Sequence, residues 1–184
     1  MASSLDDLKS SFFWRALAAE ALGTLVLVLV GCGTCVGGQE WETFAPSMVQ
    51  ISLAFGLAVA TMVWCIAHLS GGHINPAVTA AMLACRKISI ARALLYVAAQ
   101  CAGAMAGAGI LKGLTPTNVE GNLGLTSIST GLTREQGFGV EFMVTMILVL
   151  TVFASCDVKR TDLNGSAPLT IGFSVTLCHL FAVS

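Results

Sequence analysis

The sequence predicts an all-α protein embedded in a membrane, and three observations carry that prediction. Hydrophobic residues make up 55% of the 184 residues and charged ones only 10%, against roughly 25% charged in an ordinary soluble domain. Five apolar stretches are each long enough for a helix across the hydrocarbon layer, which takes about 20 mostly apolar residues. A half-length apolar segment follows the second of them, inside residues 43–85, where no Asp, Glu, Lys or Arg occurs. The length suits one domain. A net charge of −1 offers no basic face for nucleic acid. No nucleophile–base pair and no metal-ligand cluster points to an enzyme, so no catalytic residue, metal or cofactor is expected.

The elements follow in chain order. Residues 1–11 are polar, and the apolar run behind them is too long for a cleavable signal peptide. The expected spans are 14–36, 46–69, 88–111, 135–156 and 167–184. Arg92 falls one turn inside the third and can snorkel to the interface. Residues 112–133, rich in Gly, Thr and Asn, read as a loop, and 157–166 as a short charged turn. Lys9, Arg15, Arg86, Lys87, Arg92, Lys159 and Arg160 gather on one side, with only Lys112 and Arg134 opposite. Positive charge stays inside, so the N-terminus is expected in the cytoplasm and the 112–133 loop outside.

Cys32, Cys35, Cys65, Cys85, Cys101, Cys156 and Cys178 lie in or beside apolar runs, which reads as small packing residues. Cys32 and Cys35 have redox spacing, but no βαβ context surrounds them. Asn164-Gly165-Ser166 fits a glycosylation pattern on the expected inner side, where it should stay unmodified.

Residues 69–85 cannot hold another full span. Ser70-Gly71-Gly72-His73 reads as irregular backbone, and Asn75-Pro76-Ala77 as a helix start with Asn at the N-cap and Pro at N1. Residues 76–85 then give about 15 Å of helix, half a membrane. One reading is a re-entrant loop at mid-membrane. Backbone there is tolerated when it lines a water-filled path. The carbonyls of Gly71, Gly72, His73 and Ile74 would accept hydrogen bonds from a neutral permeant, and the Asn75 amide would donate to it. The helix N-terminus adds a field hostile to cations. The other reading is a turn that caps an interfacial helix.

The chain also repeats itself. Glu20-Ala-Leu-Gly-Thr-Leu-Val-Leu-Val-Leu aligns with Glu141-Phe-Met-Val-Thr-Met-Ile-Leu-Val-Leu, 121 positions on. Gly56-Leu-Ala-Val59 aligns with Gly172-Phe-Ser-Val175, 116 positions on. Three spans separate the copies, so the second runs in the opposite direction, an inverted repeat. The domain then divides into a first repeat at 14–111, a linker loop at 112–133 and a partial second repeat at 134–184. By the same offset the partner of Asn75 is expected near 191, so a second half-helix and a sixth span are expected past Ser184. Glu20 and Glu141, inside spans, each need a partner. A proton relay is the sharper alternative. His179 reads either as packing or as a site residue. Gly103-Ala-Met-Ala-Gly107 is a small-residue face for close helix packing.

The stretches Ser52-Leu-Ala-Phe55-Gly56, His68-Leu-Ser-Gly-Gly-His-Ile-Asn-Pro-Ala77-Val-Thr, Gln100-Cys-Ala-Gly103-Ala, Gly165-Ser-Ala-Pro168-Leu and His179-Leu180 resemble the aquaporin (major intrinsic protein) family, in its orthodox water-selective branch. The resemblance implies a right-handed helical bundle with Asn75, Pro76 and Ala77 as the pore motif. It implies Phe55 and His179 as the outer constriction, and Glu20 and Glu141 as braces of re-entrant loops. It implies water as permeant, the lipid bilayer as surroundings, the plasma membrane as location, and a homotetramer or co-assembly with a full-length channel. The alternatives are a non-conducting subunit that modulates full-length channels and a proton-coupled transporter. The latter should put a titratable group where Asn75 stands.

Overall fold

The computed structural model describes residues 4–36, 46–162 and 165–182. Within them the chain forms seven helices and no strand: α1 (Ser4–Lys9), α2 (Ser11–Gly33), α3 (Met48–Ser70), α4 (Pro76–Ala84), α5 (Ile90–Leu114), α6 (Arg134–Ser155) and α7 (Ala167–Ala182). α2, α3, α5 and α6 are long and apolar enough to cross a membrane, while α7 runs 16 residues, about 24 Å. α4 has nine residues.

Local chemistry sets the helix starts. Ser47 accepts from the Gln50 amide at 3.1 Å, Asn75 from Ala77 at 2.7 Å and Ser89 from Arg92 at 3.1 Å. Thr133 and Gln136 form a reciprocal capping box. α3 stops at Gly71, whose φ of 91° is a left-handed cap that suits glycine.

Glycines let the long helices touch. α2 lies on α5, where a Cβ at Gly103 or Gly107 would strike the carbonyl oxygen of Ala21 or Leu25. α3 lies on α7, where a Cβ at Gly56 would meet the Gly172 carbonyl and one at Gly172 the Gly56 carbonyl. Those glycines are the repeat-equivalent pair of the sequence, and their contact is reciprocal, as across a two-fold axis. The buried cluster of Val59, Met62, Val63, Ile66, Ile74, Val78, Val152, Ile171 and Val175 fills the space between α3, α4, α6 and α7. Apolar side chains also point outward: Trp64, Leu94, Met105, Phe138, Phe142 and Phe173 are exposed. In water such a surface would drive association, whereas lipid accommodates it. The fold is that of a multi-pass membrane protein.

Three expectations change. The polar N-terminus contains a helix, α1, that no sequence pattern announced. Arg92 does not snorkel: its side chain is 21% exposed and pairs with Asp7, because α1 folds back and brings the counter-charge to it. The cysteines are free, but packing describes only Cys178, which is buried, with Cys32 and Cys35 half-buried. Cys65, Cys85, Cys101 and Cys156 are exposed, since an apolar thiol in a span needs no cover. Asn164 of the glycosylation pattern lies outside the described residues.

Candidate functional site: the re-entrant loop and its cavity

Glu20 organises the loop between α3 and α4. It is fully buried on α2. Its Oε1 accepts from Ser70 Oγ at 2.6 Å and the His73 amide at 2.9 Å. Its Oε2 accepts from the Ile74 amide at 2.7 Å and Gln100 Nε2 at 2.8 Å. Four donors meet the four acceptor positions of one carboxylate, which compensates the charge in a low-dielectric setting. Ser70 Oγ in turn accepts from the Gly72 amide at 3.0 Å. The loop therefore directs the N–H groups of Gly72, His73 and Ile74 toward Glu20 and Ser70. The carbonyl oxygens of Gly71, Gly72, His73 and Ile74 accept no hydrogen bond among the described residues.

The loop is held in an unusual conformation. Gly72 has φ 65° and Ile74 φ 41°, a left-handed value that a β-branched residue rarely adopts. Ile74 is buried and sits where α2 carries Gly23. A Cβ there would come within 2.5 Å of Ile74 Cγ2. Such a backbone persists only where its surroundings over-determine it, and two charge-assisted bonds plus a tight apolar seat do so.

Thr79, fully buried on α4, links the loop to α5. Its hydroxyl donates to the Asn75 carbonyl at 3.1 Å and accepts from Gln100 Nε2 at 3.0 Å. His73 Nδ1 lies 3.1 Å from the same oxygen. With the Thr79 proton on Asn75, His73 Nδ1 is the donor and Nε2 is left as an acceptor.

A cavity of about 410 Å³ opens beside this loop, lined by Gly71, Gly72, His73, Ile74, Asn75, Phe55, Glu141 and His179 among others. Eight of the residues singled out in the sequence thus line one cavity. Pro76 and Ala77 are the first turn of α4 and do not line it, and Glu20 stands behind the loop. Asn75 Oδ1 is committed to the Ala77 amide, so its NH₂ group is the part free to donate. The Phe55 and His179 rings stack at 4.4 Å, 23° apart; they touch, with no opening between them. Gly31 makes room for Phe55, since a Cβ there would strike the ring. His179 Nδ1 donates to the Val175 carbonyl at 3.0 Å, which leaves Nε2 of the neutral ring as an acceptor. Glu141 is exposed on the cavity wall and accepts no hydrogen bond among the described residues.

Sequence reasoning missed Ser70, Thr79 and Tyr96 as partners of the loop, and it noticed Gln100 only within a matching stretch. An amide in the middle of an apolar span was the one available signal for Gln100. Thr126, from the 112–133 loop, also lines the cavity without any sequence cue.

Fold and site together define a multi-pass, all-helical membrane protein with a re-entrant half-helix. Residues 7–184 match the family described as Major intrinsic protein. Aquaporin-4 of Mus musculus is 55% identical over 174 residues, 94% of this chain and 54% of the relative, and Aquaporin-4 of Homo sapiens is 54% identical with the same coverage. Aquaporin-1 of Rattus norvegicus is 42% identical over 181 residues, 96% of this chain and 67% of the relative. The chain spans about half the length of the Aquaporin-4 relatives. An aquaglyceroporin structure from Plasmodium falciparum superposes with a TM-score of 0.78 at 24% identity, covering 93% of this chain and 73% of that one; at that identity the likeness concerns the fold. The chain belongs to the major intrinsic protein family.

Proposed function

We propose that the chain supplies pore elements of a passive water channel in the plasma membrane, with its N-terminus in the cytoplasm and water as permeant. One observation carries the reading: residues 71–75 all line one cavity, the carbonyls of 71–74 accept no hydrogen bond among the described residues, and the Asn75 amide is free to donate. A neutral molecule that both donates and accepts is matched by that order, while an ion gains no charged partner from residues 71–75 in place of its water shell. The stacked Phe55 and His179 rings narrow one side of the outer pore, Glu20 braces the loop, and Glu141 plays the matching part in the second repeat. Residues 14–111 and 134–184 are the two repeats, joined by an extracellular loop at 112–133. The subunits assemble as a homotetramer or with a full-length channel.

The test is osmotic swelling and ion flux in proteoliposomes, comparing the parent with Asn75→Asp. Asp keeps the helix cap and places a carboxylate in the cavity lining, so ion exclusion or water flux must change while the protein stays folded. Identical fluxes at equal incorporation would sink the assignment of Asn75.

Glu141 favours a second reading. Where Glu20 has four donors, Glu141 stands open to the cavity, and an uncompensated carboxylate is costly inside a membrane. The chain then acts as a non-conducting subunit that modulates full-length channels. Co-reconstitution separates the two: swelling that rises with the chain alone supports the channel, and swelling altered only with a full-length relative supports the modulator.

A further inference from the structure

A polar chain runs from the N-terminal helix to the re-entrant loop. Asp7 on α1 is 4% exposed. Its Oδ1 accepts from Arg92 Nη2 and its Oδ2 from Ser89 Oγ at 2.5 Å. The Arg92 guanidinium lies 5.0 Å over the Phe13 ring, and its Nη1 donates to Tyr96 Oη at 3.1 Å. Tyr96 is fully buried, and its hydroxyl donates to the Ser70 carbonyl at 2.9 Å. Ser70 is the last residue of α3, and its Oγ binds Glu20 and the Gly72 amide.

Proton counting makes the chain directional. Tyr96 has one hydroxyl proton, and Ser70 takes it because Arg92 already donates to the same oxygen. The Ser70 carbonyl belongs to the last turn of α3, where no helical donor is available, and Tyr96 supplies the missing one. Arg92 stays turned toward Tyr96 only while Asp7 balances it. Without that carboxylate a half-buried guanidinium turns to water along its flexible stem. The loop beyond Ser70 contains the left-handed Ile74, which relaxes when the surroundings loosen.

We propose that Asp7 is a positioning residue for the pore loop: through Arg92 and Tyr96 it fixes the Ser70 carbonyl, so the docking of α1 sets the geometry of the acceptors at residues 71–74. The link is independent of what permeates, and only its transport readout rests on the water-channel reading.

The test uses the whole chain in nanodiscs and reads hydrogen exchange at the Gly72, His73 and Ile74 amides. Asp7→Asn and Tyr96→Phe should each speed exchange there about tenfold, the scale of one lost hydrogen bond. Asp7→Glu should restore the parent rate, whereas Asp7→Arg combined with Arg92→Asp should not, because a carboxylate at 92 would take the Tyr96 proton from Ser70. Exchange at the α3–α7 crossing, around Gly172, reports that the bundle is intact. In vesicles, water flux per protein should fall in Asp7→Asn and recover in Asp7→Glu. If Asp7→Asn frees the α1 amides yet leaves residues 72–74 at the parent rate, the proposal is overturned. A parent chain without water flux would instead count against the channel reading, while the exchange series still decides this one.

Discussion

Removing the Glu20 side chain is the sharpest perturbation available, because its four donors lie in one buried place. In Glu20→Ala, Ser70 Oγ can rotate to another acceptor, but the His73 amide, the Ile74 amide and Gln100 Nε2 cannot. A buried donor left unsatisfied costs about 1–3 kcal/mol, so the three together cost about 3–9 kcal/mol. Total stabilities are about 5–15 kcal/mol, so the loss is a large share. Glu20→Gln is milder. Its carbonyl keeps two donors, and its NH₂ group faces the other two. If it faces the Gln100 side, that amide can flip and offer Oε1, which has no partner among the described residues, at the loss of its bond to Thr79. If it faces Ser70, the hydroxyl can turn to accept. Either way one backbone N–H is orphaned, at about 1–3 kcal/mol. At roughly 2–4 °C per kcal/mol for a chain of this size, Glu20→Ala should melt at least about 6 °C below the parent in detergent, with Glu20→Gln between them. Water flux should fall in the same order. A Glu20→Ala protein that melts with the parent, or a Glu20→Gln protein less stable than it, would refute the account of the loop.

Other expectations are direct. Gly56→Ala should destabilise by about 1–3 kcal/mol through overpacking, because its Cβ meets the Gly172 backbone, whereas Gly109→Ala, with nothing within 4 Å, should leave melting unchanged or raise it slightly; equal effects would remove the α3–α7 contact from the account. Replacing both Phe55 and His179 with small residues should open the stacked constriction and admit glycerol-sized solutes, measured as solute uptake in proteoliposomes. Asp7 titrates below its ordinary 3.8 because Arg92, and then Ser89, donate to its carboxylate against the opposing cost of burial. A carboxylate lowered in the fold stabilises above its unfolded value and stops doing so as pH falls through its folded one. The parent should therefore lose stability below about pH 3.8, and Asp7→Asn should show less of that acid dependence in thermal melts.

What the sequence disclosed depended on the range of the interaction. Asn75 and Pro76 announce α4 because a cap and a first-turn proline act on the next few residues. Gly103 and Gly107 announce a contact face because helical spacing puts both on one side. The Glu20 and Glu141 decamers match by simple comparison. Only the resemblance pointed Glu20 at the loop around His73; the individual partners Ser70, His73, Ile74 and Gln100 lie 50 to 80 residues away, and no local pattern encodes a hydrogen bond at that separation. Arg92 misled for the same reason. An arginine one turn into a span has water within reach, and only folding brings Asp7 nearer than the water. The stacking of Phe55 on His179 likewise depends on how α3 crosses α7, which the two glycines allow but do not spell out.

Asn75 uses its two amide ends for different purposes: the oxygen starts α4 and the nitrogen is left free to donate in a residue that lines the cavity. This divides how the position responds to selection. Asp or Ser begins a helix about as well as Asn, so a library sorted for expression or heat resistance would retain all three. A library sorted for transport would not, because Asp has nothing to donate and Ser donates from a shorter arm. The position looks tolerant under one kind of selection and strict under the other. Running both screens on the same library would therefore expose the functional half of a residue whose structural half is replaceable.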